Sequence, residues 1–332
     1  MRNPLAWHSA TVRAHRDVSP TVREFELRPE GGMRPWTVGS HLNVQLPLPS
    51  SLPGRDATRS YSLIGLPGEG ENREVYRIAV KRAAASRGGS HHMWSLETGA
   101  ELRVGEPNNH FELPLGAVQY LLVAGGIGMT PLLGMAQLLH ARGADVQVRY
   151  AARSAAELAF ADELRATLGE RLRTFASNVG QRLALADEIA SLHPDAVLLT
   201  CGPMPLLDAI RAAWAESNRP GANLRFETFG NSGAAANQAF WVELPRHGLK
   251  LEVQADRTLL DVLNEAGVDT LFDCQRGECG LCAVDVLAVP GRIDYRDVFF
   301  SPQERQAGQR LCACVSRVNG GGVVLDSAYR AD

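Results

Sequence analysis

Three cysteines crowd into the nine residues CQRGECGLC, 274 to 282. Thiolates this close could hold zinc, close a disulfide, work as a redox pair or bind an iron–sulfur cluster. Spacing separates these options. Four residues lie between Cys274 and Cys279 and two between Cys279 and Cys282; after a long gap come Cys312 and Cys314. Structural zinc sites usually pair their ligands in two separate short-spaced knuckles. The run C-x4-C-x2-C with a distant fourth cysteine is instead the plant-type [2Fe–2S] pattern, in which one loop wraps the cluster and the last thiolate comes from another element. Gly277 and Gly280 fall inside the loop, where the backbone must turn tightly and present amides to sulfur. The pattern points to iron and sulfide. Spacing alone favours Cys312 as the fourth ligand, with Cys314 as the competitor.

Two glycine-bearing turns could do a second kind of chemistry. GGIGMTP (125–131) follows the buried run YLLVAG and opens a helical pattern, and CGPMP (201–205) follows AVLLT in the same relation. Glycines there let backbone amides approach a pyrophosphate at a helix N-terminus. One such turn is weak evidence, because strand-to-helix turns need glycine anyway. Two of them at strand C-termini, where open α/β sheets bind ligands, are much stronger. Upstream, TRSYSL (58–63) offers an arginine for a phosphate, an aromatic ring for a planar cofactor and a hydroxyl for a ring nitrogen, although an ordinary strand reads the same way. SRGGS (86–90) combines small residues with exposed amides and leads towards a helix.

These segments need elements to hold them. Up to about residue 115, TVREFELRP and VYRIAVKR alternate like half-buried strands, and EGGMRP, LPSSLPGRD and LPGEGEN supply turns, which is the pattern of a small antiparallel barrel. From Gln119 the texture changes to strands alternating with helices (MTPLLGMAQLLHARG, AAELAFADELRATL, LALADEIASL and PLLDAIRAAWAES), so a parallel α/β sheet is expected. GNSGAAANQA (230–239) reads as a linker, and the remainder as a small strand-rich unit. The 332 residues are 45 % hydrophobic and 21 % charged with a net charge of -3, an ordinary globular composition with no basic tract for nucleic acid. MRNPLAWHSATVRAHRDV lacks a signal-peptide apolar region, and no run is long enough to span a membrane, so a cytoplasmic location is expected. In that reducing compartment six cysteines argue for metal or redox work rather than structural disulfides.

Taken in order, RSYS, SRGGS, GGIGMTP, CGPMP, FETFG and the cysteine loop resemble the phthalate dioxygenase reductase family along essentially the whole chain. The resemblance implies an FMN-binding β-barrel (1–115), an NAD(P)-binding α/β domain (116–229), the linker and a β-grasp [2Fe–2S] ferredoxin domain (240–332). It implies that Arg59, Ser60, Tyr61 and Ser62 hold the flavin, with Lys81 and the Arg87, Gly88, Gly89, Ser90 turn around its phosphate. Gly125, Gly126, Thr130, Cys201 and Gly202 would line the nicotinamide cleft, and Glu227 and Phe229 would lie near the flavin ring. The family places its fourth cluster ligand directly before Val-Ser-Arg, which selects Cys314 beside Cys274, Cys279 and Cys282. A nicotinamide gives two electrons as a hydride and a [2Fe–2S] cluster takes one, so a flavin must divide the pair. The implied function is the reductase component of a multicomponent oxygenase, serving a terminal oxygenase, Rieske non-haem iron in many members, with a haem oxygenase as the alternative. No side chain is assigned as acid, base or nucleophile, the histidines included. NADH is the expected donor and NADPH the alternative, because RTFASNVGQR offers Ser177 and Asn178 but no carboxylate, with Arg153 and Ser154 in the preceding loop. The protein is expected to act as a monomer.

Overall fold

The computed structural model describes residues 6–48, 57–68, 74–84, 88–229 and 237–326. Arg87 and residues 230–236 of the expected linker lie outside the described residues, as does most of LPSSLPGRD and LPGEGEN. The chain divides into two compact units, residues 1–227 and 228–332.

The first unit begins with an antiparallel sheet of β1 (Trp7–Ser19), β2 (Val22–Pro29), β3 (Ser40–Leu46), β4 (Ala57–Ser62), β5 (Tyr76–Lys81), β6 (Glu101–Gly105) and the short β7 (Asn108–Asn109). Helix α1 (Gly89–Trp94) lies between β5 and β6. The strand order is β4-β3-β6-β1-β2-β5, and a bridge between Leu63 and Ile78 joins the two edges, so the sheet closes into a barrel. Closure requires a long strand to bend, and β1 does so at two register shifts, between Val12 and Ala14 and between Asp17 and Ser19. Inward residues such as Val12, Phe25, Leu42, Val44, Ile78 and Met93 fill the barrel.

Next in the same unit comes a parallel sheet of β8 (Tyr120–Gly125), β9 (Val146–Ala152), β10 (Leu172–Ala176), β11 (Val197–Cys201) and β12 (Leu224–Glu227), in the order β10-β9-β8-β11-β12. Helices α2 (Met129–Ala141), α3 (Ala161–Leu168), α4 (Leu185–Ala190) and α5 (Met204–Glu216) connect the strands. The run YLLVAG is apolar throughout because both faces are covered. Tyr120, Leu122 and Ala124 share a core with α2 and α3, while Leu121 and Val123 share one with Ile189 of α4 and Ile210 and Trp214 of α5. The expected single helix AAELAFADELRATL is broken. Residues 155–157 form one 3-10 turn, Phe160 takes φ 63° and only 161–168 is α-helical, because Ala159, Phe160 and Ala161 turn inwards to the core. Barrel residues Val38, Ile64 and Phe111 join the α2 core, and a Cβ on Gly134 of α2 would stand 2.1 Å from the Gly65 carbonyl oxygen. Barrel and sheet therefore pack as one body.

The second unit is a mixed sheet of β13 (Phe240–Leu244), β14 (Leu249–Val253), β15 (Ala283–Ala288), β17 (Arg310–Cys312) and β19 (Gly322–Asp326), ordered β14-β13-β19-β15-β17 with β13 and β19 parallel. A small pair, β16 (Arg292–Asp294) and β18 (Arg317–Asn319), lies beside it. Its helices α6 (Leu259–Glu265) and α7 (Pro302–Ala307) each start with a capping box, Thr258 with Asp261 and Ser301 with Glu304. This is the expected α+β ferredoxin architecture. Among the described residues no helix is long and apolar enough to cross a membrane.

Candidate redox centres

The parallel order 3-2-1-4-5 reverses direction between β8 and β11, and a crevice opens at such a switch point beyond the strand C-termini. Both glycine turns sit there. They pack backbone against backbone: a Cβ on Gly202 would lie 3.0 Å from Gly125 Cα, and one on Gly128 would lie 2.1 Å from the Cys201 carbonyl oxygen. Gly126 takes φ 54°. Cys201 is buried, and Thr130 donates its hydroxyl to the Ile127 carbonyl at 3.0 Å, closing the first turn of α2. Sequence reasoning missed Tyr150. Its hydroxyl, on neighbouring β9, donates to the Gly126 carbonyl at 3.0 Å and braces the turn; the available signal was a polar-tipped residue at the C-terminal end of a buried strand.

The strand order also re-places the residues weighed for the choice between NADH and NADPH. The second strand is β9, so Arg153 and Ser154 follow it directly, whereas Ser177 and Asn178 follow the third strand, β10. The two loops meet, the Asn178 amide donating to the Arg153 carbonyl at 2.8 Å.

In the barrel, Arg59, Ser60, Tyr61 and Ser62 lie on β4, paired with Val44, Asn43, Leu42 and His41 of β3. Ser60 donates to Asn43 Oδ1 at 2.7 Å. Burial pushes the Tyr61 phenol up to about 12. The Ser62 hydroxyl is buried with no partner among the described residues, as expected of a group that a bound molecule would engage. Arg59 meets the phosphate-turn candidate: its Nε lies 3.1 Å from where a Gly89 Cβ would stand, so that glycine leaves room for the guanidinium. Gly88 takes φ 93°, and the Ser90 hydroxyl accepts the Ala83 amide at 3.1 Å. Lys81 reaches the other way, placing its ammonium 3.8 Å from a Gly126 Cβ position. It thus joins the barrel strand to the first glycine turn. Glu227 is buried at the end of β12 beside Cys201 of β11, and Phe229, in the second unit, is exposed.

The cysteine loop is built by its backbone. Gln275, Gly277 and Gly280 all take positive φ, which curls the chain so that the amides of Arg276, Glu278 and Cys279 each approach Cys274 Sγ at 3.4 Å. Gly277 must be glycine twice over, since a Cβ would stand 2.7 Å from Val315 Cγ2 and 2.8 Å from Asp297 Cα. Glu278 fastens the loop to the start of the unit by accepting from the Thr228 amide and hydroxyl at 2.6 and 2.7 Å. The sulfurs of Cys282 and Cys314 lie 3.1 Å apart in the core. Cys312 is also buried there. Hydrogen bonds from Cys312 and Cys314 pull the Cys282 thiol down to about 3, while the same contacts and burial push the two donors up. The Gly277 amide reaches the sulfur of Cys314, and Cys312 has Cys282, Asp297 and Cys314 about it. Amide donors on sulfur are what an anionic thiolate-bound cluster requires, and the sulfurs of Cys274 and Cys314 have them, so the loop and the core thiols behind it suit such a group.

Residues 242–319 match the model of the 2Fe-2S iron-sulfur cluster binding domain. Across 325 residues the chain is 38 % identical to the toluene-4-sulfonate monooxygenase system reductase subunit TsaB1 of Comamonas testosteroni, covering 95 % of this chain and 98 % of that one. It is 39 % identical over 318 residues to the heme-dependent oxidative N-demethylase beta subunit of Ectopseudomonas mendocina, covering 95 % and 97 %. The solved structure of phthalate dioxygenase reductase, described as modular for electron transfer from pyridine nucleotides to [2Fe–2S], superposes with a TM-score of 0.78 at 30 % identity over 97 % of this chain and 98 % of that one. The class so defined is an oxidoreductase that uses a flavin, a nicotinamide nucleotide and a [2Fe–2S] cluster. Within that class, the chain belongs to the phthalate dioxygenase reductase family.

Proposed function

We propose that this protein is the reductase component of a multicomponent oxygenase, carrying electrons from NADH through FMN and a [2Fe–2S] cluster to a terminal Rieske oxygenase. The observation that carries the reading is that one chain joins a two-glycine-turn crevice at a switch point to a cysteine loop in which three backbone amides approach the Cys274 sulfur. A flavin held by Arg59, Tyr61 and Ser62 would supply the means to take two electrons as a hydride and release them singly, which is how a [2Fe–2S] cluster takes them.

The chain's own residues bind and orient. Gly125, Gly126 and Gly202 let a pyrophosphate approach the backbone, and Tyr150 holds the Gly126 peptide in place. Arg59, set against Gly89, neutralises a terminal phosphate, and the compact Gly88-Gly89-Ser90 turn suits FMN better than a longer dinucleotide. Ser62 offers its buried hydroxyl to the ring system, and Tyr61 stays a neutral donor at all physiological pH. Cys274, Cys279, Cys282 and Cys314 hold the cluster, leaving Cys312 as a packed thiol.

A haem oxygenase is the second reading for the partner, favoured by the 39 % identity to the heme-dependent N-demethylase subunit. Arg153 and Ser154, directly after the second strand, make NADPH the competing donor. Anaerobic addition of NADH and, separately, NADPH to the coloured protein tests the electron path. Bleaching of both flavin and iron–sulfur absorption is expected, faster with NADH. A flavin that bleaches while the cluster stays oxidised overturns the reading, and a faster response to NADPH overturns the donor. Turnover with purified Rieske and haem oxygenases then separates the partners.

A further inference from the structure

The glycine- and alanine-rich stretch after β12 begins and ends on the same unit. At its start, Thr228 is buried and bonded to the cysteine loop: its amide and hydroxyl both donate to Glu278 Oε1, at 2.6 and 2.7 Å. At its far end, Arg296 donates to Asn237 Oδ1 at 2.6 Å and Arg317 to the Gln238 carbonyl at 2.8 Å. Both arginines are buried in the second unit, Arg296 against Asp294 and Arg317 beneath the carbonyls of Arg257 and Gln254. The chain crosses from the first unit to the second between Glu227 and Thr228, before residues 230–236 rather than through them.

Glu278 holds at both of its ends. Its backbone amide approaches Cys274 Sγ at 3.4 Å, while its side chain takes the two Thr228 donors on one oxygen and faces Arg276 at 3.6 Å with the other. That side chain is 13 % exposed, and hydrogen bonds to a charged acceptor so far removed from water are among the stronger ones. Thr228 is one peptide bond from Glu227, which ends β12 beside Cys201 of β11. The cysteine loop is thereby joined to the end of β12 through a single residue. A reach so short leaves the loop little freedom to drift from that strand end.

We propose that Glu278 is a positioning residue for electron entry into the cluster, acting through Thr228 to hold the cysteine loop at a fixed reach from β12. The inference rests on the proposed function, in which electrons pass from the flavin to the cluster of the same chain. Glu278 exchanges neither proton nor electron: each electron leaves the reduced flavin and arrives at the cluster. Its contribution is placement, to which reactions between held groups are steeply sensitive.

The full-length, cofactor-loaded chain is compared with Glu278→Ala and Glu278→Gln. Anaerobic NADH should bleach the flavin of both variants at the unsubstituted rate. Cluster bleaching should slow about tenfold in Glu278→Ala, the low end of what losing an outer partner costs. It should stay within about twofold in Glu278→Gln, which keeps the accepting oxygen. Dithionite, which reduces the cluster from solution, should act equally fast on all three. Hydrogen exchange at the Thr228 amide reads the clasp without turnover and should quicken about tenfold in Glu278→Ala alone. Cluster bleaching by NADH as fast in Glu278→Ala as in the unsubstituted chain overturns the proposal. Equal slowing in both variants overturns it in favour of the carboxylate's charge, and slowing with dithionite as well overturns it in favour of a damaged cluster. Where Glu278→Ala does not load iron, Thr228→Val replaces it, removing one donor from outside the cysteine loop. Cluster bleaching about fivefold slower is then expected, and an unchanged rate overturns the proposal. If the unsubstituted chain bleaches its flavin but not its cluster, the proposed function has failed; failure of this inference alone leaves that bleaching intact.

Discussion

The cysteine loop and the two-turn crevice are built by opposite means. In the loop, three thiols and the amides that approach one of them lie within nine consecutive residues, and the geometry comes from local backbone: three positive-φ residues and two glycines that neighbours would otherwise strike. In the crevice, Lys81 of the barrel and the turns at 125–131 and 201–205 are gathered by strand order and packing, and each turn is shaped by the other. A local site tolerates change elsewhere in the fold but little inside itself. A gathered site fails wherever two elements lose their register.

Exchanging the surplus thiol breaks this contrast most sharply. Cys314→Ala is expected to lose the cluster, with electron transfer to cytochrome c falling more than the roughly 10–100-fold that loss of an outer partner costs, while NADH still reduces the flavin. Cys312→Ala should keep its iron, so iron content and the visible spectrum distinguish the two; the reverse result would exchange their roles. Next come two glycines of one turn. Gly128→Ala drives a Cβ into the Cys201 carbonyl and should cost at least ~2 kcal/mol in denaturant unfolding, together with nicotinamide affinity. Gly126→Ala meets only the φ penalty, ~1–2 kcal/mol.

Smaller effects sharpen the picture of the gathered site. The Tyr61 phenol is raised in the folded protein, so the unfolded chain ionises first, near pH 10. Its contribution is intact below that pH and is lost as pH rises through about 12. Tyr61→Phe should therefore lessen the alkaline loss of stability in unfolding midpoints measured across that range. Tyr150→Phe should cost about 1 kcal/mol by leaving the Gly126 carbonyl short of a donor, with KM for the nicotinamide rising more than kcat falls.

Legibility followed the same division. The cysteine loop could be read directly, because ligand spacing along one loop is a property of consecutive residues. Both glycine turns were visible as strand-to-helix junctions, since a strand buried on both faces shows as an unbroken apolar run. The helix over 155–168 was read too long because its apolar residues fit a helical period, yet Ala159 and Phe160 reach the core from a left-handed turn that periodicity does not report.

By itself, the sequence determined the order of the three modules and the chemistry of the cluster loop, because cysteine spacing, glycine turns and hydrophobic period act over short range. Only the tertiary structure decided what depends on distant neighbours. It made β9 the second strand and so put Arg153 rather than Ser177 directly after it. It sent Lys81 of the barrel to the glycine turn of the sheet, and set Tyr150 against Gly126. It also brought Cys314 beside Cys282 across a gap of thirty-one residues, where the Gly277 amide reaches its sulfur. Each of these is a contact between elements far apart in the chain, fixed by strand pairing and packing rather than by local residue type.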